Sequence, residues 1–308
     1  MKSIEAVIPT YRPGPELDGL LQKLASQRLP LLRIRLINTE ESLFGQHVLP
    51  ENAVVEHIRK EDFDHGATRD LGMQKAEADL VLFLTQDAMP ADDGLTEAFA
   101  ACFDDEHIAS AYGRQLPKPG CKAAEAVTRS YNYPDMSFVK TAADLPRLGF
   151  KTYFCSDVCA CYRRDVYRSL AGFPHRTLFN EDMIYAAQVI GAGYGIRYCA
   201  EARVFHSHNY DWRQQYRRNF DNAVSQTDRP DVFAAVPAES EGVRMVRRAA
   251  ADLIRAGKWY AVPDLVWQSG WKFLGFRAGR RYRKMRRAQI LRRTSDPAYW
   301  ERRFKEEE

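Results

Sequence analysis

Acidic and imidazole side chains occur at three places in this sequence where an apolar run ends or a helix is predicted to begin. The first is Asp87, which follows the apolar run Asp79–Leu84 and stands between Gln86 and Ala88. A carboxylate at the end of a strand can hold a divalent cation against a diphosphate, because hard cations prefer oxygen ligands. Aspartate is also common in caps and turns, so Asp87 alone leaves both roles open.

The second place is the pair Glu181 and Asp182, at the start of a helix predicted over Asn180–Ile190. Acids at a helix start commonly serve as caps or interact favourably with the helix dipole. The chemical alternative is that one of the two carboxylates is the general base that deprotonates an attacking hydroxyl group.

The third place is the pair His206 and His208, at the end of a short apolar strand predicted over Ala202–His206. Alternation along a strand puts both imidazoles on one face and Ser207 on the other. Imidazole is the commonest metal ligand in proteins. The pair therefore favours a metal site over a purely structural role.

The elements that position these residues alternate between strand and helix up to about residue 112. Strands are predicted at Ser3–Ile8, Leu32–Ile37, Ala53–Ile58, Asp79–Leu84 and His107–Tyr112. Helices are predicted at Glu16–Gln27, Thr68–Ala76 and Asp92–Phe103. Strands separated by such helices indicate βαβ units and a mostly parallel sheet. Ligands bind outside the carboxyl ends of the strands in such sheets, so the loops after the first four strands form the predicted site.

Beyond about residue 113 the predicted elements are more widely spaced. They are a helix at Ala123–Tyr133, a strand at Ser156–Tyr162, the helix at Asn180–Ile190, and short strands at Gly195–Cys199 and Ala202–His206. From Asp211 onward only helices are predicted.

Length and composition limit the class of protein. The 308 residues correspond to two average domains or to one large α/β domain with an extension. An apolar content of 45% excludes a wholly disordered chain, a fibrous repeat and a small disulfide scaffold. We expect no secretory signal and no membrane-spanning helix, and we therefore expect the six cysteines to be reduced and buried.

The net charge of +4 conceals an uneven distribution. Residues 271–293 contain ten Lys or Arg and no acid, so the rest of the chain carries a net charge of −6. This asymmetry predicts a local anionic partner for one segment. The mixture of aromatic and basic side chains over residues 259–293 is typical of a helix at an anionic membrane surface. A solvated helical face or a contact in a homo-oligomer is the alternative for the same segment.

Several short motifs occur in the order found in family 2 glycosyltransferases. They are Pro9-Thr10-Tyr11, Gln86-Asp87-Ala88, Glu181-Asp182 followed by Gly193-Tyr194, and then His206. Over about residues 3–220 the sequence most resembles the bacterial rhamnosyltransferase-like branch of that family. The resemblance implies the GT-A fold, an α/β arrangement with a Rossmann-like, mostly parallel sheet flanked by helices.

The predicted domain organisation follows from this resemblance and from the charge distribution. Residues 1–220 are predicted to be the glycosyltransferase domain, with a nucleotide-binding half at about 1–112 and an acceptor half at about 113–220. Residues 221–308 are predicted to be a basic, helical C-terminal extension.

The resemblance also implies roles for the three acidic or imidazole sites. Asp87 and His206 would hold Mg²⁺ or Mn²⁺ on the nucleotide diphosphate, with His208 as a reserve ligand. Asp182 would be the catalytic base of an inverting transfer, and Glu181 is the second candidate for that role. The motif departs from the family's usual DxD, because Gln86 and Ala88 replace its outer acids.

A larger set of residues is expected to bind the nucleotide sugar. Glu40 stands where the family often has an Asp that contacts the base, Gly66 would allow close backbone approach, and Arg69 would reach a phosphate. The last three residues of the set fall in a faint match to the family's QxxRW motif. The full set is Pro9, Thr10, Tyr11, Glu40, Asp64, Gly66, Arg69, Gln86, Asp87, Gln215, Arg217 and Arg218.

The predicted function is transfer of a sugar onto a cell-surface glycan or a lipid-linked acceptor. The family branch suggests dTDP-rhamnose as the donor, with UDP-hexoses as the main alternative. The expected location is the cytoplasm, at the inner face of the cell membrane, and no nucleic-acid partner is expected. The alternative from another class is a membrane-surface or nucleic-acid-binding module that uses residues 271–293. A nucleotidyltransferase would need a glycine-rich loop near the start, where Thr10–Pro15 offers only Gly14.

Overall fold

The computed structural model describes residues 2–233 and 238–308, and the chain divides into two compact units. Unit 1 comprises Met1–Lys118, Asn132–Arg176 and Glu181–Ser207, and unit 2 comprises Pro119–Tyr131, Thr177–Asn180 and His208–Glu308. The main segment of unit 2 therefore begins at His208, about a dozen residues before the predicted domain boundary.

Unit 1 is organised around one nine-stranded sheet. Its strands are β1 (Ile4–Tyr11), β2 (Arg33–Thr39), β3 (Ala53–Ile58), β4 (Leu80–Leu84), β5 (Met89–Pro90), β6 (Ile108–Leu116), β7 (Phe138–Lys140), β8 (Cys159–Arg163) and β9 (Gly195–Phe205). Their order is β3-β2-β1-β4-β8-β6-β9-β5, and β7 pairs with β9. Strands β3, β2, β1 and β4 are parallel, whereas β8 runs antiparallel to both of its neighbours. The predicted βαβ arrangement is thus confirmed in the first half of the sheet.

Strand β9 differs from the prediction in one respect. Two short strands were expected between residues 195 and 206, whereas the structure has one continuous strand. Its register against β6 shifts, because Gly113 pairs with Cys199 while the next residue, Arg114, pairs with Arg203. The predicted break therefore marks a bulge within a single strand.

The helices agree with most of the predicted positions. In chain order they are α1 (Glu16–Ala25), α2 (His65–Lys75), α3 (Leu95–Cys102), α4 (Ala123–Asn132), α5 (Leu145–Leu148), α6 (Arg164–Ser169), α7 (Glu181–Gly191), α8 (Trp212–Asp228), α9 (Pro230–Phe233), α10 (Ala238–Arg255), α11 (Val262–Gly279), α12 (Arg287–Leu291) and α13 (Pro297–Glu306). In α1, the spacing of Leu17, Leu20, Leu21 and Leu24 puts all four on one face, and all four are buried. Each such leucine contributes about 2 kcal/mol through removal of apolar surface from water.

Strand β4 shows how the core of unit 1 is divided between the two faces of the sheet. Leu80, Leu82 and Leu84 pack into the apolar cluster that contains α1, while Val81 and Phe83 pack into the cluster on the opposite face. Both faces are buried, which explains why the sequence of β4 is a continuous apolar run without alternation. The carboxyl end of this strand leads directly into Gln86 and Asp87.

In unit 2, helix α11 packs against α8 with its backbone very close to that of its neighbour. An added Cβ would lie 2.2 Å from the carbonyl oxygen of Tyr216 at Gly275, and 2.2 Å from that of Phe220 at Gly279. Only glycine permits such an approach. The two glycines therefore fix one face of α11 against α8 and leave the opposite face outward.

The helices and the cysteines can be compared with the expectations of no membrane-spanning helix and of reduced, buried thiols. Among the described residues, no helix combines the length and the apolar character needed to span a bilayer. All six cysteines are free thiols; Cys121 is partly exposed and the other five are buried.

Candidate active site

The carboxyl ends of β1 and β4 are joined by one side chain. The main-chain N–H of Tyr11 donates to Oε1 of Gln86 at 2.8 Å, and Nε2 of Gln86 donates to the carbonyl oxygen of Tyr11 at 3.2 Å. An aspartate at position 86 has no donor for the second bond. Thr10 in turn donates to Oδ1 of Asn38 on β2 at 3.1 Å. The structure therefore brings Thr10, Tyr11 and Gln86 together at the predicted edge of the sheet.

The local packing explains why the motif contains a single acid. Ala88 is fully buried in the core of unit 1, where an ionised carboxylate would lose its hydration. Asp87 is half-buried, and its Oδ1 accepts a hydrogen bond from the hydroxyl group of Thr85 at 2.9 Å. The motif thus offers one carboxylate, with Oδ2 available to further partners.

A candidate metal site is formed by Asp87 and His206, which lie on neighbouring loops of unit 1. Nε2 of His206 is 3.5 Å from Oδ2 of Asp87. Nδ1 of His206 is 2.9 Å from Oε1 of Gln115, and because an amide oxygen only accepts, Nδ1 carries the proton. In the neutral ring, Nε2 then keeps its lone pair on the side of Asp87. One carboxylate oxygen and one imidazole nitrogen are a donor set that suits Mn²⁺ or Mg²⁺.

A lysine also approaches this carboxylate. Nζ of Lys118 is 3.3 Å from Oδ2 of Asp87, so positive charge is supplied at this edge by the chain itself. His208, the predicted reserve ligand, belongs to unit 2, where its ring stacks on Tyr210 with the ring centroids 4.7 Å apart. Its role in metal binding stays a prediction.

A second cluster of charge in unit 1 surrounds Arg69 of α2. Its Nε lies 3.0 Å from Oδ2 of Asp157, and its Nη1 lies 3.1 Å from Oε1 of Glu181. All three side chains are buried. The neighbouring Asp182 is half-buried, and its Oδ1 accepts from the main-chain N–H of Met183 at 2.7 Å. We call Arg69, Asp157, Glu181 and Asp182 the carboxylate cluster.

The guanidinium of Arg69 contacts two carboxylates of this cluster, and Asp182 is the third acid beside them. The pKa values of Asp157 and Asp182 reflect this crowding of negative charge. Burial raises the pKa of Asp182 well above its ordinary range, and the charges of Glu181 and Asp157 raise it further. Burial also raises the pKa of Asp157, to about 6, although Arg69 acts in the opposite direction. A half-buried aspartate with a raised pKa is a stronger base than an ordinary carboxylate and is suited to accept a proton.

Four residues predicted to contact the nucleotide have partners within unit 1. The guanidinium of Arg69 lies between two carboxylates instead of facing outward. Asp64 caps α2 by accepting from the main-chain N–H of Ala67 at 2.8 Å. The close backbone approach expected at Gly66 is present, but an added Cβ there would meet the carbonyl of Pro174. Glu40 accepts from the main-chain N–H of Lys60. Their contacts with a ligand remain predictions.

Comparison with known proteins identifies the family. Residues 5–171 match the family described as glycosyl transferase family 2. The chain belongs to this family. It is 34% identical over 306 residues to the O-antigen chain rhamnosyltransferase RfbN of Salmonella typhimurium. The alignment covers 96% of each chain. It is also 34% identical to the O-antigen chain rhamnosyltransferase WbaN of Salmonella anatum, over 97% of this chain and 96% of the relative.

Solved structures support the fold of this glycosyltransferase. The mannosyltransferase PcManGT from Pyrobaculum calidifontis, in complex with GDP-Man and Mn²⁺, aligns over 99% of this chain and 80% of its own with a TM-score of 0.55 and 13% identity. TarS residues 1–349 from S. aureus align over 92% of this chain and 91% of their own with a TM-score of 0.52 and 15% identity. The predicted GT-A fold with a helical C-terminal region is confirmed, and the chain is a glycosyltransferase.

The three residues expected from the QxxRW resemblance lie on α8 of this transferase, in unit 2. Gln215 is buried and Arg217 is exposed. The guanidinium of Arg218 lies 5.1 Å from the ring centroids of both Phe179 and Tyr210, which are distances typical of cation–π contacts. Their roles toward a nucleotide stay predictions.

Three polar residues of the site were not found from the sequence. Asp157 falls within the strand predicted over Ser156–Tyr162, where an isolated acid has no informative spacing. Lys118 lies in a loop and Gln115 in β6, and neither belongs to a motif. Only the pairing of β8 with β4 and of β6 with β8 could have indicated them. That pairing is not visible in the order of elements along the chain.

Proposed function

We propose that this glycosyltransferase moves rhamnose, with inversion, from dTDP-rhamnose onto a cell-surface glycan. The identity of 34% to two O-antigen chain rhamnosyltransferases, over nearly the whole of each chain, supports this substrate class. A UDP-hexose is the alternative donor. The observation that carries the chemistry is Asp182, a half-buried residue of the carboxylate cluster whose raised pKa suits proton abstraction.

In the proposed mechanism, Asp182 takes the proton of the acceptor hydroxyl group as its oxygen attacks the anomeric carbon. The bond between that carbon and the diphosphate oxygen breaks on the opposite face, and the nucleoside diphosphate leaves with the electron pair. The negative charges of Glu181 and Asp157 favour proton uptake by Asp182, whereas the guanidinium of Arg69 favours its ionised form. A divalent ion bound by Asp87 and His206 would stabilise the negative charge of the leaving diphosphate, and Lys118 supplies further positive charge there.

The nucleotide is proposed to lie over the carboxyl ends of β1, β2 and β3. Tyr11 supports this position, because 37% of the residue is exposed at the end of β1 and its ring can stack on a base. Pro9 and Thr10 precede it on the same strand. A crystal soaked with a nucleoside diphosphate tests this placement. Density at the opposite edge of the sheet, near Arg163 and Asp79, would contradict it.

The donor is tested with a panel of nucleotide sugars. Thermal shift and donor hydrolysis are measured for dTDP-rhamnose, UDP-glucose, UDP-galactose and GDP-mannose, each with Mn²⁺, with Mg²⁺ and with excess EDTA. We expect the largest shift and the fastest hydrolysis with dTDP-rhamnose and a metal. Preference for a UDP-hexose would identify the alternative donor, and no response to any member would overturn the proposal.

We also propose that unit 2 binds an anionic membrane surface, at the inner face of the cell membrane, where a lipid-linked acceptor would be found. The support is a line of exposed side chains that we call the outer strip: Trp259, Tyr260, Val266, Trp267, Phe273, Leu274, Arg277, Arg280 and Arg281. Trp259 is 70% exposed and Trp267 is 56% exposed. Aromatic side chains followed by arginines suit the interface between lipid headgroups and acyl chains.

In the part of the chain that the structure describes, some basic residues of the predicted segment 259–293 have carboxylate partners and others have none. In the described residues, the guanidinium groups of Arg277, Arg280 and Arg281 have no carboxylate within 4.0 Å. Arg283, in contrast, is 2.9 Å from Oδ1 of Asp228, and Arg287 pairs with Glu308. The three arginines at the end of α11 are therefore among the basic side chains that can meet an anionic surface.

Co-sedimentation with vesicles tests membrane binding. Wild type is compared with the double variant Trp259→Ser/Trp267→Ser on vesicles with about 30% anionic lipid and on neutral vesicles. The matched control is Phe138→Ser, an exposed aromatic in unit 1. We expect wild type and the control to bind anionic vesicles only, and the double variant to lose this binding.

Equal pelleting of all three proteins would exclude the outer strip as the membrane-binding surface. Concentration-dependent dimers without pelleting would favour a homo-oligomer contact. Salt-dependent binding to DNA instead of vesicles would favour the nucleic-acid alternative.

A further inference from the structure

Asp157 is a buried acid at the end of the loop that leads into β8, and three groups fix its position. Its side chain is 3% exposed. The hydroxyl group of Tyr162 donates to Oδ1 at 2.5 Å, and Nε of Arg69 lies 3.0 Å from Oδ2. Its own main-chain N–H points to Oδ2 of Asp182 at 3.3 Å. Asp157 therefore touches both the guanidinium and the proposed base of the carboxylate cluster.

The negative charge of Asp157 needs a physical explanation. An asparagine could accept the hydrogen bond of Tyr162 without the cost of burying an ionised carboxyl group. Arg69 already has the carboxylate of Glu181 at 3.1 Å, so it does not require a second buried acid for neutrality. A charge retained in this position acts on the groups around it, and the least buried residue among them is Asp182.

We propose that Asp157 is a positioning residue of the glycosyl transfer: it fixes the guanidinium of Arg69 and the carboxylate of Asp182 in the arrangement that accepts the proton of the acceptor hydroxyl group. Because this inference rests on the proposed role of Asp182, its test must separate the two. Asp157 itself does not touch the reacting atoms.

The charged groups that face Asp182 come from three elements. Glu181 precedes it on α7, Arg69 lies on α2, and Asp157 lies before β8. The side chains of Cys155 and Tyr162 also lie near it, but burial raises the pKa of both, so they are neutral at physiological pH. The net effect on Asp182 is set by two carboxylates against one guanidinium.

The substitution Asp157→Asn therefore has a defined direction. Removal of a neighbouring negative charge favours the ionised form of Asp182, so its pKa falls. A base must be ionised to act, and the rate is lost as the pH falls through its pKa. The acid limb of the pH–rate profile thus moves to lower pH in Asp157→Asn. At the same time kcat falls, by up to about 100-fold, because the carboxylate is held less firmly.

The experiment measures hydrolysis of dTDP-rhamnose between pH 4.5 and 8.5 for full-length wild type and four variants. Asp182→Asn tests the base itself. Asp157→Asn and Asp157→Glu test the positioning residue, and the conservative glutamate should keep the acid limb in place while kcat is reduced. Asp105→Asn is the matched control, because Asp105 is an exposed carboxylate before β6. Thermal melting of each variant separates loss of fold from loss of function.

The outcomes distinguish the two proposals. If Asp182→Asn keeps most of the activity, the proposed base is wrong and the inference falls with it. If Asp182→Asn is inactive and Asp157→Asn shows a lower kcat with the acid limb moved to lower pH, the inference holds. If Asp157→Asn has the same acid limb as Asp105→Asn, Asp157 has only a structural role. If Asp157→Asn does not fold, the same limb is measured in Tyr162→Phe. Loss of the Tyr162 donor disfavours the ionised form of Asp157, so the acid limb should again move to lower pH; no movement in that variant would overturn the inference.

Discussion

The carboxylate cluster of unit 1 and the outer strip of unit 2 both concentrate charged side chains, but they do so in opposite environments. In the cluster, Arg69 is buried and lies between two carboxylates at 3.0 and 3.1 Å. In the outer strip, arginines such as Arg277 are exposed beside exposed tryptophans. Charge that is buried and shared has its pKa shifted and is suited to proton transfer. Charge that is exposed is suited to contact with a large anionic surface.

The basic residues of segment 271–293 also differ from one another in burial and in their partners. Ten basic residues in 271–293 have the same appearance in the sequence. In the structure, Arg283 is paired with Asp228, whereas Arg280 and Arg281 are exposed without a close carboxylate in the described part of the chain. The difference shows that partner and burial, rather than residue type, decide what an arginine can bind.

The largest expected effect is the loss of turnover on substitution in the carboxylate cluster of unit 1. Asp182→Asn should reduce turnover by about 10²–10⁴-fold, the usual effect of removing a general base. Binding of a nucleoside diphosphate, measured by calorimetry, should change little, because Asp182 is not proposed to touch the diphosphate. Retention of more than about a tenth of the wild-type rate would place the base elsewhere, with Glu181 as the next candidate.

Two tryptophans of unit 2, one buried and one exposed, should differ in their contribution to the free energy of unfolding. Trp300 is 1% exposed and packs against Tyr282 and Phe304, so Trp300→Ala should lower the free energy of unfolding by about 3–5 kcal/mol. Trp267 is 56% exposed, so Trp267→Ala should change it by about 0.5 kcal/mol or less. Denaturant unfolding measures both values. A large loss of stability in Trp267→Ala would mean that this residue has a structural role that its exposure does not indicate.

Metal binding provides the third prediction. Gln115→Ala removes the amide that holds Nδ1 of His206, and loss of such a partner typically weakens metal affinity by about 10- to 100-fold. Titration of Mn²⁺ in the presence of a nucleoside diphosphate, followed by electron paramagnetic resonance, measures this affinity. Gln46→Ala, at an exposed site in unit 1, is the control. Full activity of wild type in excess EDTA would exclude a metal role for Asp87 and His206.

The smallest expected effect belongs to single charges of the outer strip. Each arginine near an anionic surface contributes about 1 kcal/mol to binding, so Arg277→Gln should weaken vesicle binding by about fivefold at low salt. Arg287→Gln, which removes a side chain already paired with Glu308, should have a smaller effect. Both differences should vanish at high salt. Equal effects of the two substitutions would show that pairing within unit 2 does not separate them.

Much of the fold could be predicted from the sequence, and the reason lies in local patterns. The strand at Ala53–Ile58 was placed at its observed bounds, and helix α1 was found from its four buried leucines. These patterns depend only on the alternation and spacing of apolar residues. The antiparallel insertion of β8 between β4 and β6 was not foreseen, because the order of strands in a sheet is set by long-range packing.

In the candidate site, too, local sequence patterns indicate some residues, while others depend on long-range packing. Asp87, Glu181, Asp182 and His206 were selected because each stands at the end of a strand or the start of a helix. Asp157 was not selected, since its importance comes from β8 lying beside β4 and from the position of α2. Arg69 is predicted to reach a phosphate, and the structure gives its guanidinium two carboxylate partners. Residue type and position locate a site, but the partners follow only from tertiary structure.

The two glycines of α11 have a consequence for the cost of binding. Because Gly275 and Gly279 bring α11 against the backbone of α8, the helix is already ordered before any partner arrives. From Val266 to Leu274 it advances eight residues, or about 12 Å at the usual rise per residue. A surface that meets this preorganised face does not have to order a flexible segment, so little conformational entropy is lost on association. Replacement of Gly275 by alanine should therefore weaken binding without altering any side chain of the outer strip.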